Sequence, residues 1–240
     1  MIPGASPDKE GKRLHTVKAP AQPEQRKTRI QAENEERILD AALDMFSLHG
    51  FRGTTIDQIA DGAGMSKPNL LYYFRRKKDI YEALIDRLLD NWLEPLIAIR
   101  EDGDPLPELR GYIRRKLEMA RDFPRESRLF ANEILQGAPR IKTLLETRLR
   151  DLVEEKSRII SEWMKSGRLR SVDPRHLIFA IWSTTQHYAD FDVQVCAVLG
   201  PDRGGPGRFE DAARFLETLF LEGLKPQAVA SPEQNRVQAS

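Results

Sequence analysis

Apolar side chains recur every three or four residues along most of this chain, which is the spacing of amphipathic helices. The pattern is clear after residue 30, where one face carries Ile38, Leu39, Ala42, Leu43 and Phe46. No segment shows the strict alternation that is typical of a half-buried strand. The sequence therefore predicts an all-α fold of about nine helices.

Helix-ending and helix-starting residues divide the first part of this pattern. Gly50 ends the first helix, and Thr55 and Ser66 can each cap a short helix after it. The turn Asp61–Gly64 separates the two short helices, and Pro68 falls in the first turn of the second, where a missing N–H costs little. The sequence thus predicts a long helix followed by two short ones.

The rest of the chain reads as longer helices. One begins near Lys77, and we expect Pro95 to kink it. The further predicted starts and spans are Asp104–Pro105, Pro124, Pro139, residues 140–166 ended by Gly167, Asp173–Pro174 through Phe191, and a last helix after the loop Gly200–Gly207. These helices supply the second, larger part of the fold.

Composition sets the outer boundaries and the broad class. The 240 residues hold 38 Lys and Arg against 37 Asp and Glu, yet residues 1–29 alone carry a local balance of about +4. We expect a disordered basic arm over 1–28, a helix-turn-helix domain over 29–76, a helical ligand-binding and dimerisation domain over 77–225, and a disordered tail over 226–240. The arm as a solvated tail without a role is an equal alternative.

Several function classes are excluded or disfavoured. A single cysteine, Cys196, allows no disulfide framework, and no apolar run can span a bilayer or form a signal peptide, so we expect a cytoplasmic protein. His187 and Asp190 lack a third partner for a metal, and no loop fits a phosphate-binding or catalytic motif. We expect no enzyme, no metal, no cofactor and no membrane partner.

The two short helices and their turn have the arrangement of a helix-turn-helix, whose second helix can lie in the major groove of DNA. Lys67 and Asn69 stand at the leading end of that helix, where Lys can pair with guanine and Asn with adenine. Four consecutive basic residues, 75–78, lie near the next helix start and can meet phosphates. The predicted DNA-contacting residues are Thr54, Thr55, Gln58, Ser66, Lys67, Pro68, Asn69, Tyr72, Tyr73, Lys77 and Lys78.

This region closely resembles the DNA-binding domain of the TetR family of bacterial repressors, in the segments 51–60, 63–67 and 70–74. The segments 91–96, 127–130, 137–139, 173–179 and 185–191 resemble the branch of that family that regulates pyrimidine utilisation. The resemblance implies a homodimer on a near-palindromic DNA operator, with the last two long helices paired as a four-helix bundle. It also implies release from DNA by uracil or thymine.

The residues of the C-terminal half agree with a pyrimidine ligand. A flat base with one imide N–H between two carbonyls needs an aromatic plate and groups that both donate and accept. Trp182 and Gln186 lie one helical turn apart on one face, with Thr185 beside them. The predicted ligand-binding residues are Trp92, Trp182, Thr185 and Gln186.

Other interpretations of the same residues stay open. The tyrosines after Asn69 and the basic run can be core and solvated surface, and a buried Trp or Gln is as often core as ligand contact. The apolar stripe of Phe215, Leu219 and Phe220 fits either a monomer core or a dimer seam. The alternatives are the same repressor class with another heterocyclic or aromatic inducer, an architectural DNA binder without a ligand, and a helical enzyme or protein-interaction module.

Overall fold

The structure is a computed structural model that describes residues 23–226, with side chains from residue 29 onward. This described range is helical and contains no strand, so the predicted all-α class is confirmed. The chain divides into two units at Glu36 and Arg37, and all sites below belong to the second. Residues 1–22 of the expected arm and 227–240 of the expected tail lie outside the described range.

The helices follow one another with short connections. They are α1 (Pro23–Gly53), α2 (Ile56–Gly62), α3 (Lys67–Tyr73), α4 (Lys77–Ile97), α5 (Pro105–Asp122), α6 (Pro124–Leu135), α7 (Lys142–Leu144), a π-helical turn (Leu145–Leu149), α8 (Arg150–Lys165), α9 (Pro174–Asp190), α10 (Asp192–Arg203) and α11 (Arg208–Leu224). The first helix begins at Pro23, so the backbone of residues 23–28, expected in the arm, is helical.

A first hydrophobic core joins the end of α1 to the short helices and to α4. Its fully buried members include Phe46 of α1, Ile59 of α2, Leu70 of α3 and Ile80 of α4. Burying a large apolar side chain contributes about 1.5–3 kcal/mol, so this core fixes α2 and α3 against the longer helices. Phe74 is partly buried and packs against this core.

A second core holds the C-terminal helices around α5, which packs against both α9 and α11. Trp163 of α8 is completely buried there and donates a hydrogen bond from Nε1 to the carbonyl of Glu101 (3.1 Å). The buried ammonium of Lys156 donates to the carbonyls of Ile97 and Ile99, at 2.9 and 3.1 Å. These contacts anchor the C-terminal end of α4 on α8.

The observed helices divide the chain more finely than the sequence predicts. Pro139 lies in a turn and the next helix starts at Lys142, so the prediction that Pro139 opens a helix is wrong. The predicted helix over 140–166 is interrupted by the π-helical turn. Part of the predicted loop Gly200–Gly207 belongs to α10, which bends at Gly200 (φ 72°). Pro95 lies in the last turn of α4, which stays helical through it.

Candidate DNA interface and ligand cavity

The two short helices are each capped as the sequence predicts. The Thr55 side chain accepts the backbone N–H of Gln58 (3.2 Å), and the Gln58 side chain accepts that of Thr55 (2.8 Å), which forms a complete capping box. Ser66 accepts the backbone N–H of Asn69 (3.4 Å) at the start of α3. Because each cap satisfies an orphan donor, two helices of seven residues hold their place.

Helix α3 presents its first turn and one aromatic ring to solvent. Ser66, Lys67, Pro68 and Asn69 are all exposed, and Tyr72 is 71% exposed. The ring of Tyr73 meets that of Tyr72 edge-on, with 5.2 Å between centroids. The tyrosine offers both an apolar ring and a hydroxyl to a partner, so this edge of α3 has the chemistry of a contact surface.

The ammonium group of Lys67 pairs with Asp57 of α2 at 3.0 Å, and both side chains are largely exposed. An exposed pair of this kind contributes only about 0.2–1 kcal/mol and can be exchanged for another partner. Thr55, Gln58 and Lys78 are also exposed near this edge of the molecule.

Thr54, a predicted DNA contact, is buried instead and its side chain is only 1% exposed. Its hydroxyl lies within hydrogen-bond distance of the carbonyls of Gly50 (2.9 Å) and Met45 (3.1 Å). The reason is the kink at Gly50 (φ 65°), which frees carbonyls at the end of the regular part of α1. The prediction for Thr54 is therefore wrong, and its role is to close the end of α1.

Lys77, a second predicted DNA contact, is also committed inside the protein. Its ammonium donates to the carbonyls of Phe51 (2.6 Å) and Thr54 (2.5 Å) and lies 4.5 Å from the centroid of the Phe51 ring. Partial burial and the nearby guanidinium of Arg140 lower the pKa of Lys77. The prediction for Lys77 is wrong because its partners are 23 or 26 residues away in sequence, beyond the reach of a local pattern.

Lys78, the next residue, faces solvent and forms an i, i+4 pair with Glu82 (3.2 Å). Arg75 is exposed beside it, while Arg76 is held by Asp79 (2.7 Å). Of the four consecutive basic residues, three are thus exposed on the surface, and Lys77 alone is partly buried. They lie at the N-terminal end of α4, where the helix dipole also favours an anion.

A small cavity lies inside the C-terminal helices, between α4, α5 and α9. Its volume is about 30 Å³, roughly the share of a single water molecule. Its lining residues are Leu89, Trp92, Leu93, Leu96, Tyr112, Lys116, Phe130, Leu149, Trp182 and Gln186. The structure therefore brings together three of the four predicted ligand-binding residues, Trp92, Trp182 and Gln186, from two helices that are far apart in the sequence.

The polar groups in this cavity have few partners. Trp182 donates from Nε1 to the hydroxyl of Tyr112, whose pKa is raised by burial. The Nε1 of Trp92 is buried without a hydrogen-bond partner among the described residues, and Gln186 makes no side-chain hydrogen bond within the same range. Buried donors are normally satisfied, so groups left open in a cavity suit a ligand.

Lys116 is the most unusual residue of this cavity, since it is a lysine that is only 2% exposed. Its ammonium lies 4.8 Å from the centroid of the Trp92 ring. Burial lowers the pKa of Lys116 to about 7, and the carboxylate of Asp190 opposes that shift. Asp190 itself accepts a hydrogen bond from Ser127 of α6, and burial raises the pKa of Asp190.

Thr185, the fourth predicted ligand-binding residue, does not line the cavity. It is fully buried, and its hydroxyl donates to the carbonyl of Ile181 one turn earlier (2.7 Å). Threonine in a helix commonly satisfies itself in this way. The prediction for Thr185 is therefore wrong, because the residue next to Gln186 points about 100° away around the helix.

Tyr112, Lys116 and Phe130 also line the cavity and are not among the predicted ligand-binding residues. Lys116 and Tyr112 did leave a signal: they fall at i+3 or i+4 spacing within the apolar stripe of Leu109, Ile113 and Leu117 on α5. Burying the charge of a lysine on the apolar side of a helix costs free energy, so such a lysine is a candidate for a functional site. Phe130 left no such signal, since an apolar residue on α6 is ordinary core material.

An open cleft of about 390 Å³ lies outside the cavity, between α6 and α9. It shares two lining residues with the cavity, Phe130 and Gln186. The polar residues on this cleft are Arg128, Asn132 and Asp190. The side chains of Phe130 and Gln186 therefore separate the inner cavity from the solvent-facing cleft.

Helix α6 also contacts the part of the molecule that carries α3. Glu133 is almost completely buried and accepts hydrogen bonds from Tyr81 of α4 (2.8 Å) and from Arg140 (2.9 Å). The Arg140 guanidinium lies 3.8 Å from the centroid of the Phe51 ring at the end of α1. Arg125, at the start of α6, pairs with Asp44 of α1.

Comparison with known families fits this architecture. Residues 38–84 match the family model described as bacterial regulatory proteins, tetR family, and residues 85–227 match the model described as YcdC-like protein, C-terminal region. The chain belongs to the TetR family. The boundary between the two matched regions lies within α4.

Relatives place the chain more closely within the TetR family. It is 47% identical to the HTH-type transcriptional regulator RutR of Escherichia coli K12 over 202 residues, which is 84% of this chain and 95% of the relative. The RutR protein of Shigella flexneri matches to the same extent. The chain is thus a TetR-type helix-turn-helix transcriptional regulator, and its relatives are named as regulators.

Solved structures confirm the TetR-family fold. A TetR-like transcriptional regulator from Rhodococcus sp. RHA1 is 25% identical, with a TM-score of 0.58 over 78% of this chain and 92% of that one. AibR, solved in complex with isovaleryl coenzyme A and operator DNA, is 20% identical, with a TM-score of 0.60 over 78% and 98%. At such low identity the second likeness concerns the fold alone.

Membrane spans and metal sites are the other two features of interest. Among the helices between residues 23 and 226, none is long and apolar enough to cross a bilayer. Within the same range, no cluster of three or more His, Cys, Asp or Glu side chains could hold a metal ion.

Proposed function

We propose that the protein is a ligand-responsive repressor that binds a near-palindromic operator as a homodimer, leaves it when uracil or thymine binds, and controls genes of pyrimidine metabolism. The observation that carries this proposal is one helix. Helix α4 follows α3 after three residues and lines the cavity with Leu89 and Trp92. A small molecule in the cavity therefore touches the helix on which the DNA-binding end is mounted.

On DNA, the exposed first turn of α3 would enter the major groove. Lys67 and Asn69 would contact base edges, since Lys pairs with guanine and Asn with adenine. Thr55, Gln58, Tyr72, Tyr73 and Lys78 would contact phosphates and fix the register. Lys67 would then leave Asp57, a change that costs little because the pair is exposed.

In the cavity, a pyrimidine base would lie among the rings of Trp92, Trp182 and Phe130. The open amide of Gln186 both donates and accepts, which suits an imide edge. The walls of the cavity are mainly apolar with a few polar groups, as is usual for small-molecule sites. Because its volume is about 30 Å³, a base would enter by moving the lining side chains apart. A different heterocyclic inducer is the second candidate, because the same walls would accept other flat rings.

The dimer would form through α9 and α11. Phe179, Phe215 and Leu219 are 47%, 61% and 54% exposed on these helices. Both helices pack against α5, and large apolar side chains left in solvent on them are typical of an unpartnered interface. Pairing of these faces with a second copy would bury them and would set two recognition helices about 34–36 Å apart, one turn of DNA.

The experiment is selection of random DNA duplexes by the purified protein at fixed salt, with and without uracil or thymine. An enriched near-palindrome released by either base supports the proposal. An enriched site that responds to neither base supports the repressor function and contradicts the assignment of a pyrimidine inducer. Absence of enrichment contradicts the repressor itself.

A further inference from the structure

The ligand cavity holds more hydrogen-bond donors than acceptors. Trp92 brings an indole N–H, Lys116 an amine, and Tyr112 a hydroxyl whose oxygen already accepts from Trp182. Gln186 is the member of this polar set with an uncommitted carbonyl oxygen. Among the described residues, neither the Trp92 N–H nor the Lys116 amine has a hydrogen-bond acceptor.

A ligand that completes this set must supply acceptors. At least three donors belong to residues that line the cavity. Each donor that stays unpaired when a ligand fills the cavity costs roughly 1–3 kcal/mol of binding free energy. A carbonyl oxygen has two lone pairs, so a ring with two carbonyls offers four accepting positions. A ring amino group in place of one carbonyl removes two of these positions and adds donors that meet donors. The neighbouring ring nitrogen loses its hydrogen and accepts instead, which returns one position in the plane of the ring but not at the site of the lost carbonyl.

We propose that Lys116 selects the ligand, by requiring a ring carbonyl where an amino-substituted pyrimidine would present an N–H₂ group. This inference rests on the proposed pyrimidine function and adds the choice between oxo and amino rings. Lys116 carries the choice because its amine is buried against Trp92 and has only donors when charged. Trp92 and Tyr112 can meet the carbonyl that both classes of ring share.

The charges around Lys116 allow it to take up a proton when such a ligand binds. From α9 it faces Asp190, which in turn interacts with Ser127, Arg128 and His187. From α4 it faces the uncharged ring of Trp92. Burial keeps the pKa of Lys116 at about 7 in the protein alone, and a carbonyl acceptor stabilises the charged form, which raises that pKa.

Binding of a dioxo ring should therefore depend on pH. If the pKa of Lys116 rises well above 8 in the complex, affinity is nearly constant below pH 7 and falls as the pH rises above 7. Between pH 6 and pH 8 the expected loss is about tenfold. The ligand stays neutral over this range, so the protein is the source of the change.

The test is titration calorimetry of the full-length protein with uracil and with cytosine. The wild type should prefer uracil by about a hundredfold or more, as expected when a donor site meets an analogue that lacks the acceptor. Lys116→Met keeps the length of the side chain without its amine. In that variant the preference should fall below about tenfold and the pH dependence should disappear.

Lys156→Met is the matched control. Lys156 is also a buried lysine of this region, but its amine caps α4 and does not line the cavity. Its replacement should lower thermal stability and leave the uracil preference and its pH dependence unchanged. Lys116→Met retains His187 and Asp190. If the pH dependence persists in this variant, those groups produce it and Lys116 does not.

The possible outcomes separate this inference from the proposed function. If the wild type binds neither base, the pyrimidine function fails. If it binds uracil and Lys116→Met discriminates as before, the role of Lys116 is refuted. If Lys116→Met does not fold, the wild-type pH profile decides: affinity for uracil that is flat from pH 6 to 8 overturns the inference, and the expected tenfold loss supports it.

Discussion

We expect opposite roles for two adjacent lysines, Lys77 and Lys78. One substitution at each position can test these roles. Lys77 donates to two backbone carbonyls and covers the Phe51 ring, whereas Lys78 faces solvent. We expect Lys77→Ala to destabilise the fold without changing the number of phosphate contacts. Lys78→Ala should weaken binding to every DNA sequence and leave stability unchanged.

The magnitude for Lys77 follows from its contacts. A hydrogen bond from a charged group contributes about 1.5–3 kcal/mol, and a cation–π contact adds about 0.5–1 kcal/mol. Partial burial of the charge, which lowers the pKa of Lys77, offsets part of this gain. We expect a net loss of about 2 kcal/mol, which for a chain of this size lowers the Tm by roughly 4–8 °C.

Two measurements are needed on each variant. Thermal unfolding at one fixed protomer concentration gives the stability, because a dimer's Tm depends on concentration. The slope of log K against log salt gives the number of phosphates neutralised, and Lys78→Ala should reduce it by about one. Lys77→Met, which retains the alkyl chain over Phe51, separates the loss of packing from the loss of the charged hydrogen bonds.

The reasoning about Lys77 is refuted by a specific result. If Lys77→Ala unfolds at the wild-type temperature and its salt slope falls by about one, then Lys77 contacts phosphate as the sequence alone suggests. If each of the two alanine substitutions reduces the slope of log K against log salt, the internal contacts of Lys77 are exchanged for DNA contacts on binding.

Four further expectations concern single contacts. Lys67→Ala should cost about 1–3 kcal/mol at particular base pairs and little elsewhere, which a panel of single-base operator variants would show. Thr54→Val should lower stability by about 1 kcal/mol, measured by urea unfolding, with no change in DNA specificity. Thr185→Val should leave the affinity for uracil unchanged in calorimetry, because its hydroxyl bonds Ile181. Since burial lowers the pKa of Lys116 from 10.5 to about 7, the unfolded chain binds more protons between these values, so the ligand-free Tm should rise from pH 7 to pH 9 relative to Lys116→Met.

The local features of the fold were within reach of sequence reasoning. The caps at Thr55, Ser66 and Asp173 depend on backbone N–H groups two or three residues away. Gly167, which follows the end of α8, adopts positive φ for reasons internal to the turn. A short window of sequence contains all the atoms involved, which is why these predictions are confirmed. Gly50 also has positive φ, but it kinks α1 and the helix continues to Gly53, so it does not end the helix as predicted.

The errors at the candidate sites share a different cause. Thr54 and Lys77 satisfy carbonyls around the end of α1, and that end is placed by the kink at Gly50 and by packing of distant helices. Lys116 becomes a cavity residue only because Trp92 of α4 and Asp190 of α9 meet it. The periodicity of one helix does not indicate which of its polar groups will contact a residue of another helix.

The π-helical turn is a local feature that the sequence pattern does not predict. Leu145–Leu149 continues the amphipathic pattern, so the sequence predicts an unbroken helix. The extra residue in that turn rotates the face of the next helical residues, and Leu149 comes to line the cavity. Such turns often occur at functional sites, and here the one in the described chain forms part of the ligand-cavity wall.

Helices α4 and α6 meet at two places, and this determines how the cavity can influence the DNA-binding end. At one place both line the cavity, through Trp92 and Phe130. At the other, Tyr81 of α4 donates to the buried carboxylate of Glu133 on α6, and the Tyr81 ring meets Phe51 edge-on at 5.1 Å. A ligand that changes the spacing of the two helices at the cavity must strain or relieve that hydrogen bond. A tenfold change in DNA affinity needs only about 1.4 kcal/mol, which is within the worth of one buried hydrogen bond to a charged group.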